Sequence, residues 1–84
     1  MRIYMQTGFL ENKPPRYYQI ILEQDLLGGW SLVRESGQQG GSGRVTREHY
    51  TDFDTAQLAL ERLRDKQLAQ GFKVVFIQGQ EYLP

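Results

Sequence analysis

Polar and apolar positions alternate with a period of two along much of this chain, and one stretch switches to helical spacing. Tyr17–Gln24 reads YYQIILEQ, with Tyr18, Ile20 and Leu22 on one side and Tyr17, Gln19, Ile21 and Glu23 on the other. Successive side chains of a strand point to opposite faces, so this pattern predicts a half-buried strand. Trp30–Ser36 predicts a second strand, with Trp30, Leu32 and Arg34 opposed to Ser31, Val33 and Glu35, and Arg44–Tyr50 a third, more polar one. Asp25-Leu26-Leu27-Gly28-Gly29 and the glycine-rich stretch from Gly37 to Gly43 supply the turns between them. Such short connections make the three strands an antiparallel meander. Arg2–Gln6 sets Ile3 and Met5 against Tyr4 and is expected as an edge strand. Thr7–Arg16, with Gly8, Asn12, Pro14 and Pro15, is expected as a connector that the proline pair bars from helix. Phe72–Ile77 is apolar on both faces and is expected as a central or covered strand, followed by a tail, Gln78–Pro84.

The helical stretch is Asp54–Gln70. Asp54 stands as its N-cap, and Gln57 three residues on completes a capping box. Phe53 and Leu58 are placed for a hydrophobic staple, Ala56, Ala59, Leu60 and Leu63 form the apolar stripe, and Gly71 suits the left-handed stop. The element order is β-β-β-α-β once the first strand is set aside. This is an α+β chain with an antiparallel sheet of four to five strands and one helix packed on one face. Trp30 shares a side with Leu32 and is expected to pack under the helix.

The length of 84 residues suits one domain, 1–84, with 1–16 as N-terminal strand and connector and 78–84 as tail. Ten basic and ten acidic side chains cancel, so net charge alone calls for neither nucleic acid nor membrane. No apolar run is long enough for a signal peptide or a bilayer span, and the expected setting is soluble and cytoplasmic. With no cysteine and one histidine, four zinc ligands of the usual kind are not at hand, and no calcium-loop pattern occurs. His49 has Glu48 and Tyr50 as sequence neighbours, both directed to the opposite face, and no serine sits in a strand–turn–helix elbow. The expectation is a protein that is not an enzyme and takes no cofactor or metal.

Gly37, Gly40, Gly41 and Gly43 place four of the nine glycines in one loop, and Arg34, Arg44, Arg47 and His49 lie on its shoulders. The loop lacks the lysine and the following helix of a phosphate-binding P-loop. Its basic flanks nevertheless carry positive charge in excess of negative, as does the N-terminal segment with Lys13 and Arg16. Arg34, Arg44 and Arg47 are expected to line one patch that meets phosphates.

VRESGQQG, set between YYQIILEQDLLGGWSL and a polar strand plus helix, resembles the WGR domain, in its small stand-alone bacterial type. The likeness runs from Tyr17 to about Phe76. The family motif Arg-x-Trp-Gly-Arg-x-Gly aligns with Arg34 to Gly40. Arg34, Gly37 and Gly40 match, while Ser36 stands in place of the tryptophan and Gln38 in place of the second arginine. The resemblance implies a DNA-binding module whose site comprises Arg34, Gly37, Gln38, Gly40, Arg44 and Arg47. Loss of the motif ring and its bidentate guanidinium removes the family's contacts to the sugar–phosphate end. The alternative expectation is therefore a protein–protein interaction or self-association module, homodimer included, that has lost DNA binding.

Overall fold

The computed structural model describes residues 1–8 and 13–79. Five strands and a helix follow in the order β1 (Arg2–Gln6), β2 (Arg16–Gln24), β3 (Trp30–Gln38), β4 (Arg44–Tyr50), α1 (Phe53–Ala69) and β5 (Lys73–Gln78). They form one antiparallel sheet in the order β4-β3-β2-β1-β5, with α1 packed on one face. The β2–β3–β4 meander forms as its alternation predicts, with Leu22 opposite Leu32 and Leu32 opposite Glu48. Part of the connector, 9–12, and the tail from 80 onward lie outside the described residues.

The core lies between α1 and the sheet. Ile3, Met5, Ile20, Leu22 and Leu32 from the strands meet Ala56 and Leu60 from the helix, all with 2 % exposure or less. Trp30 packs edge-on against Phe53, with centroids 4.8 Å apart, as a residue beneath the helix should. Ala59 and Leu63 of the expected stripe are partly buried at its border.

Two strands exchange the places expected of them. β1 is interior, paired with β2 through Ile3–Ile20 and with β5 through Ile3–Ile77, and is not an edge. β5 is the edge, and Val74, Val75 and Phe76 remain 39–54 % exposed rather than covered. The helix, about 25 Å long, carries the chain from β4 at one margin to the far side of β1, so the last strand can only add outside it.

The helix also starts earlier than expected. Its N-cap is Asp52, not Asp54: Asp52 Oδ1 accepts a 2.7 Å bond from the Thr55 amide. Phe53 is then the first helical residue and packs on Trp30, so the Phe53–Leu58 staple does not form and Leu58 stays 47 % exposed. Gly71 follows the C-cap Gln70 at φ 99°, the left-handed stop the sequence calls for. β3 runs to Gln38, two residues beyond its expected end. The loop shrinks to a turn closed by a 3.0 Å bond from the Gly41 amide to the Gln38 carbonyl, with Gly40 at φ 83°.

Candidate nucleic-acid interface

Antiparallel pairing sets Arg34 opposite Thr46 and Ser36 opposite Arg44. Directly opposed residues share a face, and these four share the helix side with Leu32. Beneath the first turns of α1 the sheet offers Trp30 and Leu32, which close against the helix. Beneath its last turns the β3–β4 ribbon offers Arg34, Ser36, Arg44 and Thr46 in place of apolar side chains, which leaves a gap between ribbon and helix. Leu63, Lys66 and Gln67, spaced three and four apart, form one stripe of the helix over this polar floor. The result is a groove of about 290 Å³ between α1 and the β3–β4 ribbon, lined by these residues and the core residue Tyr18.

Three cations face the groove. Arg34 lies 3.5 Å from Glu48, whose other oxygen accepts a 3.0 Å bond from the Tyr50 hydroxyl. Burial first, and then that bond to Glu48, push the Tyr50 phenol above its ordinary value. The Arg34–Glu48 pair is more than a third exposed on both sides, and such pairs contribute about 0–1 kcal/mol. Arg44 and Lys66 form no ion pair with the described residues. Gln67 is only 7 % exposed overall, but its carboxamide, which makes no hydrogen bond with the described residues, still reaches solvent in the groove. The groove thus gathers guanidinium, ammonium, hydroxyl and amide donors, the set that suits an oxyanion.

The expected patch of three arginines does not form. Arg47 pairs with Val33, not with Arg34, and lies on the opposite face of the sheet, 4.0 Å from Glu23. Arg34 and Arg47 therefore do not share a face. Gly37 also lies on that far face, opposite Tyr17, where a Cβ would come within 3.1 Å of Gly43 and Ser42 and 3.2 Å of the Tyr17 ring. Its role is close packing. Gln38 ends β3 exposed, and Gly40 forms the turn, with open space where a Cβ would stand. Of the six expected site residues, Arg34 and Arg44 come together. Lys66 and Gln67 join them from the helix, and neither was expected. The spacing of Leu63, Lys66 and Gln67 already marks one helical stripe, so the signal was present.

Protein-family models, curated proteins and solved structures were compared with the chain, and none matches. The reading of the groove therefore rests on its own geometry. Among the described residues no cluster of three or more His, Asp or Glu stands where it would hold a metal ion, and no helix is long and apolar enough to cross a membrane. His49 is engaged at the far hairpin, its Nδ1 2.5 Å from Asp25 Oδ2. Asp25 Oδ1 accepts from the Leu27 and Gly29 amides at 2.9 Å. The Gly29 bond, ahead of Leu27 and His49, holds the Asp25 carboxyl below its ordinary value against the effect of burial. These bonds fix a turn, and the imidazole is part of that fixing.

Proposed function

We propose that the chain is a non-enzymatic nucleic-acid-binding module of the WGR kind, and that it holds backbone phosphates in the groove between α1 and the β3–β4 ribbon. Arg44 and Lys66 are the principal contacts, Arg34 the third, and Gln67 an amide donor at the groove wall. The observation that carries this reading is the meeting of three cations with a single carboxylate, Glu48, around one cleft. Sequence-independent phosphate binding requires little more than such a set of donors.

Fluorescence anisotropy with short duplex and nicked DNA at low salt tests it. Three phosphate contacts give a slope of log K against log salt of about −2.7 on duplex DNA. Arg44→Ala with Lys66→Ala should weaken binding at least tenfold and flatten that slope by about two contacts' worth, roughly 1.8. Arg47→Ala, on the opposite face, should leave both unchanged. No binding at tens of micromolar protein, or binding lost with Arg47 and kept without Arg44 and Lys66, overturns the reading.

A further inference from the structure

The groove beside α1 holds more than cations. Pairing in register sets Arg34 opposite Thr46 and Arg44 opposite Ser36. Positions 34 and 36 stand about 6–7 Å apart along β3, as positions 44 and 46 do along β4. The four residues therefore form a square, with arginines on one diagonal and hydroxyls on the other. Each arginine has a hydroxyl residue opposite it and another two positions along its own strand. The helix adds to this arrangement from above, where Lys66 and Gln67 line the same cleft.

Among the described residues the side chains of Ser36, Thr46 and Gln67 make no hydrogen bond. Tyr17, Gln19, Gln39 and Tyr50, by contrast, are all engaged. The neutral groups of the groove also exceed what a phosphate asks for. A phosphate oxygen only accepts, and guanidinium and ammonium groups are pure donors that meet it fully. A hydroxyl or a carboxamide carries an acceptor oxygen besides its donor. The sugar–phosphate chain of DNA has no donor to offer that oxygen. RNA adds a 2′-hydroxyl, donor and acceptor together, to the sugar beside each phosphate.

We propose that the groove recognises ribose phosphate, and that it takes RNA in preference to DNA. This rests on the phosphate-binding reading above and adds the sugar to it. Arg34, Arg44 and Lys66 take the phosphates, while Ser36, Thr46 and Gln67 exchange hydrogen bonds with the 2′-hydroxyls. An alternation of anion and hydroxyl along the strand then meets an alternation of cation and hydroxyl on the ribbon.

Fluorescence anisotropy at low salt compares labelled single strands of one sequence as RNA, 2′-O-methyl RNA and DNA. Single strands are the probe because RNA and DNA duplexes differ in groove shape as well as in sugar. RNA should bind about tenfold tighter than DNA, the effect of one or two added hydrogen bonds. The 2′-O-methyl strand, whose sugar oxygen has lost its proton, should fall to the DNA level. Ser36→Ala with Thr46→Val should bring the ratio of RNA to DNA affinity close to one, whereas a merely structural effect would weaken both strands alike and keep the ratio. Ribose 5-phosphate should displace the RNA only at millimolar concentration. Equal binding of RNA and DNA by the unaltered chain overturns the inference, and so does full affinity for the 2′-O-methyl strand or a ratio that the double variant leaves unmoved. Displacement by micromolar ribose 5-phosphate overturns the choice of RNA and assigns the groove to a free sugar phosphate. The comparison of strands on the unaltered chain decides the matter even where the double variant fails to fold. Duplex DNA bound through Arg44 and Lys66 with none of these preferences leaves the phosphate reading standing, so the two failures are distinct.

Discussion

The Tyr17 hydroxyl donates to Glu35 while occupying the space that a Cβ on Gly43 would need, so one side chain joins β2, β3 and the glycine turn. Gly43→Ala should therefore cost about 1–3 kcal/mol through overpacking, whereas Gly41→Ala, whose Cβ would meet nothing closer than 3.5 Å, should stay within about 0.5 kcal/mol. Urea denaturation of both variants checks the contrast. Glu35 is also a pH probe. Its bond from Tyr17, then that from Gln19, holds the carboxyl below its ordinary value of 4.5 against the opposing effect of burial. The folded carboxyl thus binds its proton less readily than the unfolded one. Its contribution is fully present above the unfolded value and is lost as pH falls through the lower folded value. The urea midpoint of the unaltered chain should decline on acidification below about pH 5, and Glu35→Gln should make that decline shallower. At this scale the sequence already separated two of the arginines: Arg44 and Arg47 lie three positions apart on a strand, an odd spacing that sends them to opposite faces. The expectation of one shared patch overlooked that parity.

Helix α1 shows how an element's ends depend on more than its own letters. Two aspartates, Asp52 and Asp54, offer themselves as caps, and the apolar stripe fits either start. Packing of Phe53 on Trp30 favours the earlier start, because Phe53 then belongs to the first turn. Asp52→Ala should lower stability by about 0.5–2 kcal/mol, and Asp54→Ala by much less, as read from thermal melts. The exchange of β1 and β5 was not legible, because alternation reports which face a residue takes and not which neighbour its strand takes. Ile3 and Met5 alternate as an edge strand's residues would, yet pairing on both sides buries them completely. The three-strand meander was legible because each of its connections is too short to permit any other partner. Lys66 went unnoticed because the helix was read for its apolar stripe alone, while the groove uses the border of that stripe.

Across the whole molecule, charge cancels in sum but not in place. Arg16, Arg44, Lys66 and Lys73 gather at the end that holds the glycine turn and the close of α1, outnumbering Glu35 and Asp65 there. Glu23, Asp25, Glu48, Asp52 and Asp54 gather at the end that holds the Asp25 hairpin and the start of α1, where Arg2, Arg47 beside Glu23 and Arg34 beside Glu48 offset them in part. The composition hides this, since ten and ten is all it records. On the proposed phosphate-binding role, stopped-flow association with duplex DNA should slow with added salt although the net charge is zero, and exchange of Asp52 and Asp54 for asparagine should barely alter the rate constant at high salt. A body with no monopole but a lengthwise moment is rotated by a polyelectrolyte's field before it is drawn in, so the end bearing the groove arrives first. That alignment fades once ions shorten the field's reach to about 10 Å, near 0.1 M.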